Sequence, residues 1–152
     1  MGDLTMSAKG SSVNTDSLVV DGANVAYAEL SHAGDPKVSN LVAMNEALQQ
    51  EGYEPIVIID ASLRYDVDDP DQLEALLDDH ACRQAPAGTD ADYFILETAD
   101  RLESWVVSND EFEDWLDDYP WIEERRVPFM IIRGEIELYS PHLPGREKAS
   151  EE

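Results

Sequence analysis

The sequence predicts an α/β protein, a three-layer α/β/α sandwich around a central, mostly parallel sheet. Two observations predict it: short apolar, β-branched runs alternate with amphipathic helical stretches, and the runs are continuous rather than alternating in polarity, as in strands buried on both faces. Ser17–Val20 (SLVV) reads as a first buried strand ending at Asp21-Gly22. Val38–Gln50 places Leu41, Val42, Met44, Ala47 and Leu48 on one helical face, and Gly52 suits the C-terminal cap. Pro55–Ile59 (PIVII) is too short for a helix and reads as a second strand. Pro70–Ala81 opens on Asp-Pro-Asp, a good helix start, with Leu73, Leu76 and Leu77 as its apolar face. Ala91–Leu102 follows Thr89-Asp90 as a capped helix. Trp105–Val107 is a third strand, followed by Ser108-Asn109-Asp110 and a short acidic helix from Glu111. Val127–Ile132 and Ile136–Tyr139 are the last strands, and Arg133-Gly134-Glu135 between them reads as a hairpin turn.

Residues 1–15 are rich in Ser, Gly, Asn and Thr and read as a flexible leader; 143–152 read as a flexible acidic tail, leaving a domain over 16–142. At 152 residues, 43% of them hydrophobic, the chain fits one folded domain. Its net charge of −24, from 34 acidic and 10 basic residues, is extreme, and only Lys9, Lys37 and Lys148 are lysines. Acids spread along the whole chain predict a hydrated surface suited to a salt-rich cytoplasm such as a haloarchaeal one. The alternative is an acidic protein that avoids nucleic acid, since nucleic-acid binders usually present a basic face. A single cysteine, Cys82, excludes an intramolecular disulfide and a Cys-based zinc site. No apolar run approaches the ~20 residues that span a bilayer, and the N-terminus is not a signal peptide, so no membrane role and a cytoplasmic location are expected.

Polar residues at the ends of the apolar runs are the candidates for chemistry. Asp21 closes the first strand (VVDGAN), with Gly22 allowing a tight turn, Asp60 ends the second, and Asp110 follows the third. Ligands of open parallel sheets bind at the carboxyl ends of the strands, where such carboxylates converge and would repel without a cation. Oxygen ligands of this kind suit Mg²⁺ or Mn²⁺. Asp92 or Asp90, at the next helix start, would be the third contributor. Asp114, four residues after Asp110, would share its face if the short helix began there. Among 34 carboxylates this pattern is weak, since Asp also caps helices and ends strands.

The order of these motifs is more specific. VVDGANVA, a helix, a strand followed by Ser62-x-Arg64, then ADYFILETA, WVVSNDEFEDW and a terminal β pair resemble the Regnase-type NYN ribonucleases of the PIN-like superfamily, from Val19 to Tyr139. The resemblance implies a PIN-like fold and metal-dependent hydrolysis of single-stranded RNA. Asp21, Asp92, Asp110 and Asp114 would be the metal-binding acids, Asn24 the Asn beside the first of them, Mg²⁺ or Mn²⁺ the cofactor, and a homodimer a common assembly. Ala91 departs from it: the family carries two adjacent aspartates before this helix, so Asp90 either substitutes or merely caps. A non-catalytic PIN-like binding or assembly module is the competing expectation, favoured by Ala91 and by the missing basic surface. Arg64, Arg125 and Arg126 are the candidate RNA contacts, against local pairing of Arg64 with Asp66 or Asp68 and of the Arg pair with Glu123 and Glu124. Trp105 is expected in the core. Trp115 and Trp121 either pack the short helix or stack on bases. Cys82 is expected at a helix end, half-buried, and His32, His80 and His142 at the surface.

Overall fold

The computed structural model describes residues 14–139; most of the expected leader and all of the tail lie outside them, as does His142. Five strands form one sheet: β1 (Asn14–Asp21), β2 (Glu54–Ile59), β3 (Cys82–Gln84), β4 (Ser104–Val107) and β5 (Arg126–Val127). Their order is β3-β2-β1-β4-β5, and every neighbouring pair is parallel. The helices are α1 (Gly22–Ala26), α2 (Val38–Gln50), α3 (Pro70–Asp78), α4 (Ala91–Leu102) and α5 (Ile122–Arg125). A separate antiparallel hairpin, β6 (Phe129–Ile132) and β7 (Glu135–Leu138), closes the described chain. None of the described helices is long and apolar enough to cross a membrane.

Strand residues alternate between two cores, which makes the sheet the middle of three layers. Leu18, Val20, Val57, Ile59 and Val107 pack with Leu41, Met44 and Leu48 of α2 and Leu73 of α3. Val19, Ile58 and Val106 face the other way, against Ile95, Leu96 and Ala99 of α4 and Ile122 of α5. Burying each such side chain contributes roughly 1.5–3 kcal/mol. Helix α1 is far too short to persist alone. It is held by the buried Asn40 amide, which donates to the carbonyls of Val25, Ala26 and Glu29 at 3.2, 3.0 and 2.9 Å. That bracket fixes the turn between Asp21 and α2.

Several expected elements change at particular residues. The third helix stops at Asp78, because His80 takes a left-handed φ of 62° and turns the chain back into the sheet. Cys82 therefore lies buried in strand β3, paired with Val57, and not half-buried at a helix end. The expected single strand Val127–Ile132 is two: Pro128, lacking an N–H, separates β5 in the sheet from β6 in the hairpin. Arg133 and Gly134, at φ 51° and 80°, make the two-residue turn that matches strand twist. Trp105 is buried as expected, while His32 and His80 are exposed.

Gly22 is dictated by space. A Cβ there would stand 2.5 Å from Ile59 Cγ2 and 2.7 Å from the Ile58 carbonyl oxygen, which belongs to strand backbone and cannot move aside. Gly22→Ala is expected to cost about 1–3 kcal/mol of stability, the range for overpacking, read by denaturant unfolding.

Candidate metal centre

The chain runs outward from β1 through β2 to β3, then crosses to β4 on the other side of β1. This reversal places the switch point between the C-terminal ends of β1 and β4, where open parallel sheets bind ligands. Three carboxylates meet there. Asp21 ends β1 and caps α1, Asp92 stands in the first turn of α4, and Asp110 follows β4. One oxygen of each lies within 4.8 Å of the others. The ion pairs among the described residues, Lys37–Glu29, Arg64–Glu74 and Arg101–Glu97, involve none of them.

A short network holds the group in place. Asp21 Oδ2 accepts from the buried Ser108 hydroxyl at 2.8 Å, and its Oδ1 accepts a longer 3.4 Å contact from the Asn24 N–H. The same Ser108 oxygen accepts from the Asp110 N–H at 3.0 Å, so one hydroxyl spaces two of the acids. Arg126 Nη1 donates to the Ser108 carbonyl at 3.0 Å, and the Ser108 N–H donates to the Val127 carbonyl. The Asn24 side-chain oxygen accepts from the Asn109 N–H at 2.8 Å, tying α1 to the loop after β4. Asn109 in turn donates to the Phe129 carbonyl and accepts from the Phe129 N–H, at 3.0 and 2.9 Å. The loop after β4 is thus clasped between α1 and the hairpin.

The electrostatics suit a missing positive charge. Burial pushes the Asp21 carboxyl up to about 6; its hydrogen bonds from Ser108 and Asn24 oppose this, and the neighbouring Asp92 and Asp110 add to it. Asp92 is also pushed up to about 6, by burial first and then by Asp110, Asp90 and Asp60. Three crowded oxygen donors, with Asp60 and Asp90 as further acids nearby, are a donor set for a hard divalent cation, so the residues present fit Mg²⁺ or Mn²⁺. Removing the Ser108 donor leaves Asp21 harder to ionise and less firmly oriented. Ser108→Ala is therefore expected to weaken Mn²⁺ binding about 10–100-fold, measured by calorimetric titration.

The other expected site residues are distributed as follows. Asp114 is exposed and lies outside the group of three, although with Asp92 and Asp110 it lines an adjoining cavity of about 360 Å³. The expected shared helical face is absent because Phe112 takes a left-handed φ of 53° and the 3₁₀ turn begins only at Glu113. Asp90 accepts from the Asp92 N–H at 2.9 Å as the cap of α4 and is not in the group. Arg64 pairs with Glu74 at 2.7 Å and donates to Gln84, not with Asp66 or Asp68. Arg125 is buried with its guanidinium 3.9 Å above the Trp121 ring, and Arg126 braces Ser108. Neither forms the expected ion pair with Glu123 or Glu124. Ser108 and Asn109 were missed as positioning residues. Both stand in the Ser-Asn-Asp run, whose aspartate alone drew attention.

The sequence family described as "Zc3h12a-like Ribonuclease NYN domain" matches residues 14–151. None of the curated proteins matches this chain. Two solved structures share its fold at a TM-score of 0.65, both of the Arabidopsis thaliana nuclear proteinaceous RNase P 2 (PRORP2). One is 21% identical and covers 84% of this chain; the other is 20% identical and covers 86%. The alignments span 30% and 31% of those longer chains, so the likeness concerns one domain of them.

Proposed function

The chain belongs to the Zc3h12a-like ribonuclease NYN domain family, and from that premise we propose that it hydrolyses phosphodiester bonds of single-stranded RNA with the help of Mg²⁺ or Mn²⁺. The observation that carries this reading is the convergence of Asp21, Asp92 and Asp110 at the sheet's switch point, with none of the ion pairs among the described residues involving them. These three residues would hold the metal. A bound ion of this kind activates water for attack and offsets charge on the scissile phosphate.

The remaining steps belong to the protein. Ser108 keeps one Asp21 oxygen fixed and spaces Asp110 from it, so the acids are oriented before substrate arrives. Asn24 locks the loop that carries Asp110. Asp114, exposed on the wall of the adjoining cavity, is assigned a supporting role, and Asp90 that of the cap. Arg64, Arg125 and Arg126 are engaged within the fold, which leaves few cations for the RNA backbone. We read the charge of −24 as adaptation to a salt-rich cytoplasm, where phosphate repulsion is screened.

A non-catalytic module is the second reading, favoured by Ala91 where the family resemblance expects an aspartate. Labelled single-stranded RNA incubated in molar KCl separates the two. Cleavage with Mg²⁺ or Mn²⁺ that stops in EDTA, leaving 5′-phosphate and 3′-hydroxyl ends, is expected of the enzyme. A folded protein that cleaves nothing with either ion is the module.

A further inference from the structure

Two cavities adjoin the carboxylate group and share two of its members, Asp92 and Asp110. One, of about 340 Å³, is walled by Asp21, Asn24 and Tyr27. The other, of about 360 Å³, is walled by Asp114 and Trp115. Each falls within the ~300–1,000 Å³ typical of small-ligand sites, so each offers more room than an ion requires. Among the described residues no lysine or arginine lines either cavity. Each instead carries one accessible aromatic side chain.

Those aromatics stand out on an acidic surface. Tyr27 is 49% exposed, and its hydroxyl donates to Asp66 at 3.2 Å, which restrains the ring beside the cavity. Trp115 is half-buried against the core on the α4 side, with the 42%-exposed Tyr93 ring 6.1 Å and the buried Tyr119 ring 6.4 Å from it. Trp121 lines neither cavity: its indole N–H donates to Asp100 at 2.7 Å, and the Arg125 guanidinium lies 3.9 Å from its ring centroid. Of Trp115 and Trp121, Trp115 is the one set at the acids.

We propose that Tyr27 and Trp115 are stacking platforms for the two bases that flank the scissile phosphate of a single-stranded RNA, one on each side of the metal centre. This rests on the ribonuclease reading and deepens it. Every base has a π-face, so stacking binds without sequence preference. It also needs no cation on the protein and survives the high salt that abolishes phosphate contacts. The arrangement supplies affinity where the arginines do not. It also selects single strands, because paired bases have no free face to offer.

The test is steady-state cleavage, in molar KCl with Mg²⁺, of a labelled RNA oligonucleotide and of versions with one abasic residue on either side of the cleaved bond. Removing a stacked base is expected to raise KM about tenfold or more, with kcat changed little. Trp115→Leu and Tyr27→Leu keep apolar bulk but no π-face. Each should raise KM for the intact oligonucleotide and lose discrimination against the abasic residue on its own side only. Trp115→Phe should restore that discrimination, a recovery that packing alone would not produce. Equal KM for intact and abasic substrates with the wild type, or Leu variants that still discriminate, would overturn the proposal while leaving the ribonuclease standing. No cleavage of any substrate by folded wild-type protein removes the ribonuclease reading, and this one with it.

Discussion

Asp110→Asn is expected to lower RNA cleavage by about three orders of magnitude while leaving the fold unchanged. The magnitude follows from removing one charge from the group proposed to hold the ion: a metal supplies several kcal/mol of transition-state stabilisation, and each 1.36 kcal/mol is about tenfold in rate. The fold should survive because Asp110 is exposed, and its structural contacts are ones an asparagine reproduces. Its N–H still donates to Ser108, and its Oδ1 can still accept from the Phe112 N–H, a 2.8 Å bond in the native chain. Unfolding midpoints should therefore move little, within about 0.5 kcal/mol. Asp114→Asn serves as the internal comparison. Lying outside the group of three, Asp114 should cost far less when replaced. Equal losses for the two variants would mean that the centre extends to four acids after all.

The second large effect is on stability, and its sign is unusual for a carboxylate. Asp21 is 6% exposed and titrates near 6, above the ~3.9 of an aspartate in an unfolded chain. The native state therefore holds the proton more tightly. That contribution to stability is fully present below about pH 4 and is lost as pH rises through about 6, amounting to about 3 kcal/mol across the window. Asp92, raised in the same direction, adds to the trend. The metal-free protein should thus become more stable on acidification from pH 7.5 to 5, at constant molar KCl. Mg²⁺ should stabilise it at pH 7.5 and do so much less at pH 5, where protons compete for the same oxygens. Asp21→Asn should flatten the pH dependence and abolish most of the metal effect. It should also raise metal-free stability at pH 7.5 by about 1–3 kcal/mol, since a neutral amide replaces a buried charge. Thermal unfolding of both proteins at the two pH values, with Mg²⁺ or EDTA, reads all of this.

Such a trade of stability for a poised site explains which parts of the sequence were legible. Elements whose signals are local were readable: Asp90 and the apolar spacing of Ile95, Leu96 and Ala99 mark α4 from Ala91 to Leu102, and Gly52, at φ 93°, ends the turn after α2. Asp21 and Asp110 could be placed because parallel strands deliver their C-terminal residues to one edge of the sheet. The start of α4 could be named as the third contributor, but spacing did not separate Asp92 from Asp90; the structure makes Asp90 the cap and brings Asp92 to the group. What escaped reading depends on distant partners. Asp68 caps the N–H of Val38, thirty residues away, at 2.9 Å. Asn40 braces α1, and Asn109 grips Phe129 across twenty residues. The expected helical face shared by Asp110 and Asp114 fails for a backbone reason, the left-handed Phe112, a conformation that a bulky aromatic rarely adopts.

The most direct test of the central claim is diffraction from crystals grown with Mn²⁺ near pH 7.5, read through the anomalous signal of the ion. A peak enclosed by Asp21, Asp92 and Asp110, and absent from Asp110→Asn crystals, is the result expected. A Mn²⁺ peak bound elsewhere on the domain, with these three carboxylates left empty, would contradict it.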